Sequence, residues 1–168
     1  MLKHSLYQTL LTKLLNIWPP YLGAGIRIHS HASSFQSVDV EMKLRFWNTN
    51  FVGTQFGGSL YSMCDPFFMF ILMENLGNDY IVWDKAATIR FKKPGKGTVR
   101  AHFHIPKEKI EEIRVQLETV WKVEPTFIVE VKNDEGEVIA EVEKLLYVRK
   151  KKAEQLAPPS VTSVEDKK

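Results

Sequence analysis

The stretch Asn50-Phe-Val-Gly53-Thr54-Gln-Phe56-Gly57-Gly58-Ser-Leu-Tyr-Ser-Met-Cys-Asp65-Pro-Phe-Phe-Met-Phe-Ile-Leu-Met-Glu-Asn-Leu76-Gly77 decides the fold. From Ser59 to Leu76 it is apolar on nearly every side, so as a helix it is buried all round. It is too long for an ordinary strand, and Gly77 follows as a natural C-terminal stop. Residues 48–58, rich in Asn, Thr and Gly, read as the loop before it. A lone helix with no polar face needs a sheet wrapped around it and something closing the far side, which predicts two packed layers.

The rest of the chain supplies that sheet. Val38, Val40, Met42, Leu44 and Phe46 alternate with Asp39, Glu41, Lys43 and Arg45, the period of a half-buried strand. Residues 26–31 and 80–92 are further strands, the latter ended by Lys93-Pro94-Gly95. Val99, Ala101, Phe103 and Ile105 alternate with Arg100, His102 and His104. Residues 107–119 carry a helical pattern, and 120–132 with 137–149 flank the turn signal Asn133-Asp134-Glu135-Gly136. Leucines at helical spacing predict an amino-terminal helix over 2–17, stopped by Pro19-Pro20. The class is therefore α+β: one domain over 1–149, with its core from 22 onward, and a disordered or loosely attached tail over 150–168.

Composition narrows the function classes. The 168 residues fit one domain, and a net charge of +3 is too small to argue for nucleic acid. One cysteine, Cys64, excludes an intramolecular disulfide and reads as a small core residue. No segment has the roughly 20 apolar residues of a membrane span, and no secretory leader is evident, so the expectation is a cytoplasmic protein without membrane contact. His29 with His31, and His102 with His104, have a metal-compatible spacing but no carboxylate or cysteine to complete a site, so no metal is expected.

Two features of the decisive stretch point to chemistry. Gly57-Gly58 at a helix start leaves free N–H groups that can polarise a carbonyl oxygen, with no Cβ to hold a substrate away. Asp65 lies two turns further along the most apolar segment, and a carboxylate there must be paired, protonated or open to a cavity. Together they are the minimum kit for acyl hydrolysis. Two turns separate them by ~12 Å at the usual helical rise, so two antiparallel subunits would unite them more easily than one chain. Asp65 also fits a plainer role, because Ser62-x-x-Asp65 before Pro66 reads as a capping box if the helix starts late. Asn50 by itself fits a turn residue.

The pattern Asn50-x-x-Gly53-Thr54-x-x-Gly57-Gly58, six residues, then Asp65 resembles the signature of hotdog-fold acyl-CoA thioesterases of the phenylacetate-pathway type. Ile89-Arg-Phe91-Lys-Lys93-Pro94 is similar to a strand end in the same superfamily. The resemblance implies a hotdog fold with an added amino-terminal helix and a helical insertion. It also implies a homodimer, or a dimer of dimers, that hydrolyses an acyl-CoA or other acyl thioester without a cofactor. Asp65 would be general base or nucleophile, the Gly57 amide of the opposite subunit the oxyanion donor, and Asn50 a holder of water or carboxylate. Gly58, Phe56 and Thr54 would line the substrate site, and Arg90, Lys92, Lys93 and Lys96 would meet the phosphates of coenzyme A.

Two positions depart from that family pattern. Phe56 stands where relatives carry His, and Asp84 where they carry Ser or Thr. Asp84 could act as a second base, pair with Lys85, or repel Asp65. The alternative function is a catalytically silent acyl- or lipid-binding protein on the same fold.

Overall fold

The computed structural model describes residues 12–30 and 35–151. The alternating segments form β1 (Ile26–Ser30), β2 (Ser37–Lys43), β3 (Tyr80–Phe91), β4 (Thr98–His104), β5 (Thr126–Asn133) and β6 (Val138–Lys150). They make one sheet in the order β1-β2-β4-β5-β6-β3, with every neighbouring pair antiparallel. The sheet curls around a central helix, as in the hotdog fold. Inward positions of all six strands contribute to the core, including Ile26 and Ile28 of β1, Val38, Val40 and Met42 of β2, Val82 of β3, Val99 and Phe103 of β4, Val131 of β5, and Val142 and Leu146 of β6. Phe67 and Phe68 from the central helix meet Phe103 with ring centroids 5.0 and 5.1 Å away, tilted and edge-on. The aromatic run is therefore core at Phe67 and Phe68.

The central helix is not continuous. It consists of α2 (Gly57–Ser62) and α3 (Phe67–Leu76), with a break at 63–66; a short helix α1 (Pro19–Ala24) precedes them in the chain. Pro66 has no N–H and its ring crowds the carbonyl four residues back, so the helical ladder cannot pass through it. Gly57 already belongs to α2, two residues earlier than the composition suggests.

Pro19-Pro20 also behaves differently from a simple stop. Residues 12–17 are helical, and the prolines then open α1, where a missing N–H has no acceptor to lose. The remainder of the expected helix over 2–17, and residues 152–168 of the tail, lie outside the described residues. The helical insertion, α4 (Lys107–Gln116), buries Ile110 and Ile113, and its Arg114 donates to the Asn75 carbonyl at the end of α3.

Gly25 joins α1 to β1 at φ +76°, and a Cβ there would lie 2.8 Å from Asn48 Nδ2. That amide is buried and donates to the Ala24 and Lys43 carbonyls, while its Oδ1 accepts from the Arg45 N–H. Gly25→Ala should therefore destabilise the fold by at least about 1–2 kcal/mol, the left-handed cost alone. Denaturant unfolding with no shift in midpoint would refute this.

One irregularity positions the site. β3 and β6 run in register from Tyr80↔Lys150 to Asp84↔Leu146, and the pairing then resumes at Ala86↔Leu145. Lys85 is the extra residue of a β-bulge, a device that re-aims side chains at sheet edges. Asp84, opposite Leu146, is set diagonally to Lys144 on the inner face, and the bulge places Ala87, with its small side chain, directly opposite Lys144.

Candidate active site

Thr49 to Gln55 form a tight loop closed by the Thr49↔Gln55 bridge, with Gly53 at φ +77°. Asn50 organises it. Its Oδ1 accepts the Val52 and Thr54 N–H groups, and its Nδ2 donates to Thr54 Oγ1 and the Gln55 carbonyl. All four hydrogen-bonding positions of the amide are thus engaged within the loop. Within this chain Asn50 therefore has the geometry of a turn residue.

Above the loop α2 begins at Gly57, with no side chain capping its start. Its first N–H groups have no acceptor within the helix. A Cβ on Gly57 would lie 3.0 Å from the Phe91 ring, and one on Gly58 would lie 2.5 Å from the Phe56 ring. Only glycine lets both rings pack so closely there. Asn50, Thr54, Gly57, Phe91, Lys92, Lys93 and Lys96 line one open cleft of about 610 Å³. Phe56 and Gly58 line a neighbouring one.

Asp65 sits in the break between α2 and α3, and it does not cap α3, whose start has no side-chain cap. Asp65 Oδ1 instead accepts hydrogen bonds from Tyr61 Oη at 3.0 Å and from Lys144 Nζ at 2.8 Å. Lys144 Nζ also lies 3.2 Å from Asp84 Oδ2 and donates to Tyr61 Oη at 3.4 Å. The ammonium's three protons therefore have three acceptors. The Lys144 side chain is 0% exposed, whereas that of Asp65 is 51% exposed. A buried charge survives only with such partners.

The electrostatics follow from this geometry. Burial would depress the Lys144 ammonium, but its hydrogen bond to Asp65 and the charge of Asp84 outweigh burial and hold it above the ordinary lysine value. Burial pushes the Asp84 carboxyl up, Lys144 opposes, and Asp65 adds a further upward push. Asp84 Oδ1 is buried and has no hydrogen-bond partner among the described residues. The neighbouring Cys64 thiol is pushed up to about 12 by burial, which suits a core residue and not a nucleophile.

The Asp84 shift has a pH signature. With its folded value raised, the folded chain keeps a proton that the unfolded chain has already lost. Stability through this group therefore falls as pH rises from about 4 through the folded value. Asp84→Asn should remove that slope. Unfolding midpoints of wild type minus variant, measured across about pH 4–7, should decline with pH; a flat difference curve would refute the assignment.

The predicted residues thus form two groups within one chain. Asn50, Thr54, Gly57, Lys92, Lys93 and Lys96 share a cleft to which Asp65 and Asp84 do not contribute. Arg90 and Lys92 approach Glu141, and Lys93 pairs with Glu137, so Lys96 alone of the four cations has no ion pair among the described residues. The suggested Asp84–Lys85 pair is corrected: Lys85 points away to Glu124 at 2.7 Å, and Asp84 pairs with Lys144. Outside this region, His29 and His102 are exposed and face Glu41 and Asp39.

Lys144 is the residue the sequence reading misses. The signal was present: Ala140, Val142, Lys144, Leu146 and Val148 share one parity of a strand, so a lysine stands at an inward position.

The profile of DUF4442, a domain of unknown function, matches residues 8–148. No curated protein matches the chain. Among solved structures it is similar to PA5026 of Pseudomonas aeruginosa, described as a probable thioesterase, at 21% identity and a TM-score of 0.74, covering 85% of this chain and 95% of that one. It is similar to the Haemophilus influenzae thioesterase HI1161 at 12% identity and a TM-score of 0.61, covering 83% and 88%. The E. coli PaaI protein, from the phenylacetic acid degradation operon, aligns at 19% identity and a TM-score of 0.58, covering 89% and 96%. At such identities the likeness establishes the fold, and the profile match establishes the lineage: the chain belongs to the DUF4442 family and is built on the hotdog fold.

Proposed function

We propose that the protein hydrolyses acyl-CoA thioesters as a homodimer of the cytoplasm. The observation that carries this reading is the half-open Asp65 carboxylate, fixed by Tyr61 and Lys144, at a place its own chain's Gly57 cleft does not include. Each half of a hydrolytic site is incomplete alone. The long edge strand β3, its outer side unpaired among the described residues and with Trp83 and Phe91 exposed, offers a template for pairing two copies. Exposed Phe51, Val52 and Phe56 give the loop an apolar surface for a second copy to cover.

In this scheme Asp65 draws a proton from a water whose oxygen attacks the thioester carbonyl. The amide of Gly57 of the partner subunit holds the developing oxyanion. The C–S bond then breaks, the thiol leaves with a proton returned to it, and a carboxylic acid remains. Asn50 shapes the loop beneath Gly57. Lys96, with Lys92 and Lys93, meets the phosphates, and Phe56 and Phe91 favour an apolar acyl group.

A panel of aliphatic and aromatic acyl-CoAs, read by thiol release, tests the activity, and light scattering tests the dimer. Turnover no greater than buffer for every thioester, or a monomer at assay concentration, would sink the proposal. The Lys144 ammonium on Asp65 favours one rival reading, a silent acyl-binding protein, which predicts ligand affinity without turnover and no effect of Asp65→Asn on it.

A further inference from the structure

We infer that Lys144 is the positioning residue of this site: it clamps Asp65 Oδ1 and leaves Oδ2 as the only oxygen able to take a proton from water, while Asp84 holds the clamp. The inference rests on the hydrolase reading and deepens it. Three observations carry it.

The Lys144 side chain is wholly buried, so its ammonium is not an adventitious surface charge. It stands where the pleat of β6 calls for an apolar residue, between Val142 and Leu146. Burying an unneeded ion there has no stabilising rationale, since apolar replacements of buried pairs are often neutral or better.

The geometry is also asymmetric. Asp65 Oδ1 receives both Tyr61 Oη and Lys144 Nζ, while Oδ2 receives no hydrogen bond from any described residue. A carboxylate with one oxygen tied twice and the other free has a defined reactive atom and a defined direction. That is the pre-organisation a general base requires.

Finally, Asp84, opposite the buried Leu146 and just before the β3 bulge, faces inward beside Lys144. Among the described residues, Asp84 makes its only hydrogen-bond-range ionic contact to that lysine. Its exposure, much lower than that of Asp65, suits a support more than a proton acceptor for substrate water.

The test must separate positioning from mere stability. Lys144→Met alone leaves two carboxylates facing each other and is expected to unfold easily. Lys144→Met combined with Asp84→Leu removes that repulsion and fills the space with apolar groups, so its melting midpoint should return close to wild type. If Lys144 positions Asp65, kcat of this folded double variant stays about 10²-fold below wild type, the scale of a small misplacement, with KM little changed. Recovery of kcat to within about threefold of wild type would overturn the inference.

A second arm needs no turnover. Asp65→Asn should lower the melting midpoint in the wild-type background and leave it unchanged in the double variant, because the partner is gone. Equal shifts in both backgrounds would overturn the inference. A wild-type protein that cleaves no thioester while this coupling persists would remove the hydrolase reading alone.

Discussion

Asp65→Asn is expected to lower kcat for acyl-CoA hydrolysis by about 10²–10⁴-fold, the usual contribution of a positioned general base. KM should change little, because the substitution keeps the side chain's size and leaves the cleft of Gly57 and Lys96 untouched. The variant should stay folded: Asp65 is half open to solvent, and Lys144 keeps Asp84 as counter-ion. Steady-state kinetics on the best acyl-CoA of the panel provides the measurement. A variant within twofold of wild type would mean that Asp65 is only an anchor for Lys144.

The second large effect concerns the fold. Lys144→Met should destabilise the protein by ~3–5 kcal/mol, as breaking a buried ion cluster from one side does, because two carboxylates are left without their cation. At this chain length that is a drop of about 6–20 °C in Tm. The pH dependence follows in sign. The folded-state value of Lys144 is raised above its ordinary 10.5. Its contribution is therefore complete below the unfolded lysine range and is lost as pH rises through the folded value. The difference between wild type and variant should hold across neutral pH and shrink in strong alkali, where the lysine loses its proton, and in acid, where the carboxylates gain theirs. A variant as stable as wild type at neutral pH would show that the carboxylates do not need the lysine.

The architecture was legible because it depends on periodicity. The alternation of β2 and β4 and the apolar run before Gly77 survive in the structure as strands and a helix, although the helix buries Phe67, Phe68, Ile71, Leu72 and Leu76 and leaves Met73 exposed. Pairing of Asp84 was not legible, because nothing in Trp83-Asp84-Lys85-Ala86 announces a bulge, and adjacency favours Lys85 as its partner. Lys144 was concealed for a related reason. In Glu141-Val-Glu143-Lys144 the charges read as a solvated face, and only the parity of the strand reveals that the lysine points the other way. The helix break at 63–66 was half visible: Pro66 marks a late start, which the sequence offers as a cap for Asp65, but the carboxylate turns to Tyr61 and Lys144 instead.

The supernumerary residue in β3 has a wider consequence. Up to Asp84 the even-numbered side chains of that strand face the helix; beyond Lys85 the odd-numbered ones do, which is how Ile89 packs on the core and Phe91 reaches Gly57. Pairing the strand without the bulge while keeping Lys85 would invert its sidedness over half its length, driving Arg90 toward the hydrocarbon interior and Phe91 toward water. Excising Lys85 would instead restore plain alternation and leave Ile89 and Phe91 facing inward. The extra residue and the kink that absorbs it must therefore be kept or lost together if the two ends of the strand are to serve the same cavity.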